Sequence, residues 1–325
     1  MKILSQDLPN IPWQEPASSS DVVWRHSENP IVPRSPNSAI SSVYNSAVVP
    51  WEDGFVGVFR AEDRMLATHL HKGVSSDGIQ WEIEPTPISF SSRDPERGVV
   101  DRAYDPRVCK IGDDHFITWC HGLNGGATVG LGKTSDFSQF EYLGNAFLPY
   151  NRNGVLFPKK IGGNFAMLSR PSDNGHTPYG NIFYSESPDL EFWGKHHFIM
   201  AAGRHPWELI KIGPGPTPIE TSEGWLMIYH GVRGLCNGFI YSMGAALLDL
   251  EKPWKVLARC KHFLLTPEMP YEVAGVTSNV IFPCSALTDG ATNRIAIYYG
   301  AADCCLGLAY TTLDRLVNYI RKNAE

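Results

Sequence analysis

The sequence has no apolar run near the roughly 20 residues of a membrane-spanning helix. It has no run of lysine and arginine, and its 34 acidic residues outnumber its 28 basic ones for a net charge of −6. A nucleic-acid-binding surface is therefore not expected. No CxxC pair occurs, and the seven cysteines form an odd set, most of them inside apolar segments, where a free thiol packs as a small hydrophobe. No GxxxxGK[ST] loop, no HExxH and no Cys/His metal-ligand spacing is present. The pairs His69/His71 and His196/His197 read as surface or loop residues, not ligands. The stretch MKILSQDLPNIPW has one lysine and no long apolar segment, unlike a secretory leader. These absences together lead us to expect a reduced, cytoplasmic protein with no nucleic-acid or membrane partner and no metal.

What is abundant is turn residues and aromatics: 30 Gly, 24 Pro, 9 Trp, 13 Tyr and 15 Phe in 325 residues. That mixture fits strands and tight turns better than helices. One pattern recurs five times, an apolar run, a short polar turn and a second apolar run. The copies are SAVVPWEDGFVGVFR (46–60), RVCKIGDDHFITWC (107–120), GVLFPKKIGGNFAMLSR (154–170), PTPIETSEGWLMIYH (216–230) and NVIFPCSALTDGATNRIAIYYG (279–300). Each is a hairpin signal. An aspartate followed by a closing apolar or aromatic residue trails each hairpin, at Asp77, Asp136, Asp189, Asp249 and Asp314. Each aspartate is expected to cap a turn by accepting backbone N–H bonds. A period of about fifty to sixty-five residues, four strands' worth each, predicts an all-β, five-bladed β-propeller spanning 1–325 as a single catalytic domain. Leu313, Leu316, Val317 and Ile320 predict a short C-terminal amphipathic helix.

In a propeller the inner edges of all blades converge on one channel. The hairpin ends carry Asn45 and Arg60, then Asp105, Arg107 and His121, then Arg152, Asn153 and Arg170, then Lys211 and His230, then Asn279 and Asp303, with Tyr241 nearby. Any one of these can be a solvated strand end. As a set they combine two carboxylates with Arg60, Arg152, Arg170 and Lys211. Two carboxylates alone would suggest a glycoside hydrolase. Four cations are too many for a neutral sugar, and arginine forks suit phosphate or carboxylate. A small anion is the expected ligand at the channel.

The motifs FVGVFR, AYDPRV, NRNGVLFPKK, LSRPSDNGHTP, FYSESPD, KIGPGP, GWLMIYHGV, AALLDL and NVIFPC resemble those of glycoside hydrolase family 130, the mannoside phosphorylases, over nearly the whole chain. The similarity is to the branch acting on β-1,4-mannosides. It implies an inverting, reversible phosphorolysis of a terminal β-1,4-mannosyl residue of mannosyl-N-acetylglucosamine, mannosyl-chitobiose or mannooligosaccharides, giving α-mannose 1-phosphate. Inorganic phosphate would be the co-substrate, with no further cofactor. Carried over by position, Asp105 corresponds to the catalytic acid. Arg152, Arg170, Lys211, His230 and Tyr241 correspond to the phosphate-binding group. Asn45, Arg60, His176 and Asp303 correspond to residues that hold the mannosyl unit. Similar enzymes self-associate, so a homo-oligomer is expected. The alternatives are a β-mannoside hydrolase on the same fold and a non-catalytic sugar-binding propeller.

Overall fold

A computed structural model describes residues 1–172, 180–236 and 238–323. Its strands fall into five antiparallel sheets, each entered from the inside. Blade one runs Ile40–Trp51, Gly54–Asp63, Thr68–Ser75 and Glu82–Pro87. Blade two runs Ala103–Ile111, Asp114–Leu123, Gly126–Thr134 and Phe140–Asn145, with Phe90–Ser91 added in parallel at its outer edge. Blade three is Asn151–Leu156, Phe165–Pro171, Ile182–Ser187 and Gly194–Met200. Blade four has a broken inner strand, Lys211–Pro214 and Ile219–Thr221, then Gly224–Leu235, Gly238–Leu248 and Val256–Arg259. Blade five supplies Ile281–Thr288, Arg294–Ala301 and Cys305–Thr312 from the end of the chain. Its fourth strand comes from the other end: Trp24–Arg25 pairs with Tyr310 and Ala309.

That last pairing closes the ring, and Arg25 locks it. Its guanidinium donates to the fully buried Glu272 carboxylate and to the Thr266 carbonyl. A second latch lies at the start of the chain. Ile3 bridges Thr221 of blade four, and Leu8 donates its N–H to Asp289 of blade five. Neither latch carries a local sequence signal.

Large rings fill the blades by lying flat over glycines. A Cβ on Gly130 would sit 2.3 Å from the Trp119 ring, and one on Gly57 would sit 2.3 Å from Phe59. The glycine-rich composition is thus partly a packing requirement. The expected aspartate turns form in four blades. Asp77, Asp136, Asp189 and Asp249 each accept two successive backbone N–H bonds from the residues two and three ahead. In the first three a hydroxyl two residues earlier, Ser75, Thr134 or Ser187, completes the turn. Asp314 differs from the expectation. It lies in the first turn of the helix Leu313–Lys322, where Thr312 is the N-cap and accepts from the Arg315 N–H. A carboxylate there opposes the positive end of the helix, which is why the residue type fits both settings. Leu313, Leu316, Val317 and Ile320 are the buried face of that helix, as the spacing predicts.

Candidate active site

The inner strands do not run straight to the channel. Blade one shifts register between Tyr44 and Ala47, blade two between Tyr104 and Arg107, and blade three between Arg152 and Val155. At each shift stands a short polar residue in the left-handed region: Asn45 (φ 46°), Asp105 (φ 52°) and Asn153 (φ 54°). Asn279 (φ 62°), two residues before the inner strand of blade five, and Asp303 (φ 51°), in the turn between Ala301 and Cys305, are left-handed too, without a register shift. Asn and Asp tolerate this conformation best among residues with a side chain. A bulge re-aims one side chain and is a recurrent device beside active sites. Asn45, Asp105 and Asn153, read from the sequence as strand ends, therefore sit on repeat-equivalent bulges of the inner strands, while Arg60, Arg170 and His230 come from the second strands.

These bulges line a cavity of about 280 Å³ to which all five blades contribute. Asn45, Arg60, Asp105, Arg152, Arg170, Lys211, Tyr241 and Asp303 all face it. His230 does not. It is fully buried behind Arg170, whose guanidinium donates to His230 Nε2 at 3.0 Å. His176 lies outside the described residues. Asn153 lines it too, and Tyr104, Ser172, Thr277, Val280 and Phe282, which sequence reasoning did not single out, complete the lining. Tyr104 is adjacent to Asp105 in AYDPR, which was the available signal. Val280 and Phe282 belong to the fifth hairpin copy, where they read as apolar strand residues, and Ser172 and Thr277 lie outside the repeated stretches.

Two chemically distinct walls result. On the first, Asp105 Oδ1 accepts from Arg60 at 2.6 Å and from Asn45 Nδ2 at 2.8 Å. Arg60 lies over the Tyr44 ring at 4.1 Å and the Tyr104 ring at 5.2 Å. Burial would lower the Arg60 pKa, but Asp105, Tyr44 and Asp303 outweigh it, so the guanidinium stays charged. Burial raises the Asp303 carboxyl above its ordinary range, against the opposing pull of Arg60 and of a hydrogen bond with Thr277. Gly300 leaves room for this arrangement, since a Cβ there would fall 1.8 Å from Asn45 Oδ1.

The second wall is cationic. Arg152 and Arg170 are cross-strand partners in blade three. Arg152 donates to Ser172 Oγ at 2.9 Å and is hydrogen-bonded with Tyr104. Lys211 stands beside them, its Nζ 5.2 Å from the Phe239 ring and 5.4 Å from the Tyr241 ring. Among the described residues no carboxylate pairs with Arg170 or Lys211. Burial, then the charges of Arg170 and Arg152, push the Lys211 pKa down to about 7. The His230 imidazole is held well below its usual value by burial and then by Arg170, Arg107 and Lys211, so it is neutral. A neutral imidazole that accepts at Nε2 carries its proton on Nδ1. Burial raises the Tyr241 phenol to about 12, leaving it a hydrogen-bond donor at neutral pH. Arg170 Nε and Asn153 Nδ2 are buried donors with no acceptor among the described residues.

Such a wall is costly unless something anionic sits against it. The first wall already sets its carboxylates against Arg60 and offers acceptors and donors suited to hydroxyl groups. Arg107, one of the hairpin-end residues, is a buttress and not a lining residue. It is buried, and it donates to the carbonyl oxygens of Asp105, Pro106 and Gly215. A residue before proline avoids helical-type backbone, yet Asp105 is left-handed, and the bulge leaves the missing N–H of Pro106 without consequence.

Comparison with known proteins agrees with this geometry. Residues 5–322 match the glycoside hydrolase family 130 model, described as β-1,4-mannooligosaccharide phosphorylase. A β-1,4-mannooligosaccharide phosphorylase of Ruminococcus albus is 51% identical over 325 residues, covering 98% of this chain and 97% of its own. A β-1,2-mannobiose phosphorylase of Listeria innocua is 33% identical over 253 residues, covering 77% of this chain and 68% of its own. The solved structure of β-1,2-mannobiose phosphorylase from Listeria innocua, in complex with β-1,2-mannobiose, superposes with a TM-score of 0.81 at 24% identity, covering 92% of this chain and 99% of that one. With a family match over almost its full length and a relative sharing half its residues, this chain belongs to glycoside hydrolase family 130.

Proposed function

We propose that this protein is an inverting phosphorylase that cleaves the terminal β-1,4-linked mannosyl residue of mannooligosaccharides, and of mannosyl-N-acetylglucosamine or mannosyl-chitobiose, giving α-mannose 1-phosphate. The observation that carries it is the cationic wall of Arg152, Arg170 and Lys211 in the same cavity as a carboxylate, Asp105, that is held by Arg60 and Asn45. The name of the 51%-identical relative supports the same reaction and linkage.

In this reading Asn45, Arg60 and Asp303, with His176, hold the mannosyl unit against the first wall. Arg152, Arg170, Lys211 and Tyr241 hold phosphate on the second, and His230 acts by fixing Arg170. A phosphate oxygen attacks the anomeric carbon from the face opposite the leaving oxygen, forming the C–O bond to phosphate as the glycosidic bond breaks. Asp105 supplies the proton, relayed through the mannosyl 3-hydroxyl, that ends on the leaving oxygen. Phosphate is already an anion and needs no base. It needs placement and compensation of its charge, which the second wall supplies.

A hydrolase would need a second carboxylate to activate water across the ring from the acid. The other carboxylate of the cavity, Asp303, shares Arg60 with Asp105 and is hydrogen-bonded with Thr277, on the sugar side. The test is incubation with β-1,4-mannobiose or mannosyl-β-1,4-N-acetylglucosamine with and without phosphate, following mannose 1-phosphate and free mannose. Phosphate-dependent mannose 1-phosphate is expected. Free mannose released without phosphate would replace this reading with the hydrolase.

A cytoplasmic, self-associating enzyme belongs to the same proposal. All seven cysteines are free, six of them buried, which suits a reducing compartment. Met65 and Leu66, exposed at a blade-one hairpin tip, offer apolar surface that self-association would cover. Light scattering on the purified protein reads the mass directly.

A further inference from the structure

Arg107 is a buried cation with no carboxylate partner among the described residues, and it does not line the cavity. Its three hydrogen bonds go to backbone carbonyls. Nη1 donates to Asp105 O at 3.0 Å and to Pro106 O at 3.1 Å, the two carbonyls of the blade-two bulge. Nε donates to Gly215 O, at the break in the inner strand of blade four that begins at Lys211. Its Cζ lies 5.5 Å from the Phe282 ring of blade five, and that ring packs at 4.4 Å from His230. Nη2 is buried and unpartnered among the described residues.

Burying an unpaired guanidinium is expensive, and a purely packing role would be served by an apolar side chain. What the guanidinium does that no apolar residue can is bind three carbonyls at once in a fixed plane. Two of them belong to the Asp105–Pro106 bulge, whose left-handed residue before proline is otherwise unfavourable. The third belongs to the strand that carries Lys211.

We propose that Arg107 is a positioning residue for the reaction. It pins the Asp105 bulge and ties it to the phosphate-side strand, fixing the distance and direction between proton donor and nucleophile. This rests on Asp105 being the proton donor. Arg107 touches neither substrate, so its loss acts on turnover and not on binding.

The test compares Arg107→Lys and Arg107→Gln with wild type, with Asp105→Asn, and with Arg259→Lys as a control. Arg259 is also buried, but it bonds Glu208, Tyr229 and the Ala201 carbonyl and does not line the cavity. With β-1,4-mannobiose and phosphate, each Arg107 variant should lose at least about tenfold in kcat while both KM values stay within about threefold, because small misplacements of reacting groups cost rate steeply. The loss should shrink several-fold with 2,4-dinitrophenyl β-mannoside, whose leaving group needs little protonation. That ratio is taken on one preparation, so partial unfolding cancels. Turnover no lower than that of Arg259→Lys, equal losses on both substrates, KM rising in place of kcat falling, or failure of both Arg107 variants to fold would each overturn the proposal. Full activity in Asp105→Asn would instead overturn the reading on which it rests.

Discussion

The two walls of the cavity solve opposite electrostatic problems. On the side built by blades one, two and five, Asp105 and Asp303 share Arg60, and Asn45 adds a neutral donor, so the carboxylates are answered within the protein although they outnumber the cation. On the side built by blades three and four, Arg152, Arg170 and Lys211 crowd together, and no carboxylate among the described residues answers Arg170 or Lys211. The consequence is visible in Lys211, whose ammonium is destabilised by burial and by its two arginine neighbours. A wall whose charged groups already face one another suits a neutral ligand held by directed hydrogen bonds. A wall where cations gather favours an anion. The fold gives the two to different blades, joined at the Arg152–Tyr104 hydrogen bond and through Arg107.

The largest effect should come from the wall that holds Asp105. Asp105→Asn keeps the shape and the Asn45 contact but removes the proton. We expect phosphorolysis of β-1,4-mannobiose to fall by about 10³-fold, within the range for loss of a general acid. Mannoside binding, followed by isothermal calorimetry, should persist.

Arg170→Ala should break the other wall. One or two charge-assisted hydrogen bonds, at about 1.5–3 kcal/mol each, convert to roughly ten- to hundredfold or more in kcat/KM for phosphate. Initial rates over a phosphate-by-mannoside grid should show KM for mannoside nearly unchanged. An equal loss on both substrates would mean that the walls are not separate.

Asp303→Asn is the reciprocal experiment. It should raise KM for mannoside by about tenfold, the size of one hydrogen bond to a charged group, and leave KM for phosphate within error. If phosphate binding weakens instead, Asp303 belongs to the wrong side of the comparison.

The smallest effect is a pH dependence. The Lys211 pKa is lowered to about 7, so its charge is present below that pH and lost as pH rises through it. Phosphate binds the charged form, so its KM should climb above pH 7 by up to about tenfold per unit, the limit for one linked proton. KM for mannoside should not follow. Lys211→Met should bind phosphate more weakly throughout and flatten the part of the slope that belongs to the protein, leaving only that of phosphate itself.

Much of this was legible before any coordinates. Five hairpins with apolar strands and polar turns, each followed by an aspartate at constant phase, defined the blades, because strand periodicity and turn chemistry are local properties. Four aspartates cap their turns as their spacing required, while Asp314 shows the limit, since the same residue type serves a helix start. The candidate residues were found for a similar reason: polar side chains at repeat-equivalent places stand out against apolar strands. The bulges were not legible. One extra residue in a strand leaves no periodic mark, yet it turns Asn45, Asp105 and Asn153 into the channel. Nor was the placement of His230 behind Arg170, which depends on the packing of blade four against blade three.

The sequence by itself determined the repeat, the blade count and which residue types reach the channel, since each follows from interactions within about sixty residues. Tertiary structure alone decided the rest. It paired Trp24 with Tyr310 to close the ring, and it brought Arg60 to Asp105 and Arg107 to Gly215 across blade boundaries. It also gathered like charges until Lys211 lost its ordinary basicity. Those are effects of distance and dielectric between chain segments far apart in sequence, and such effects exist only once the ring has closed.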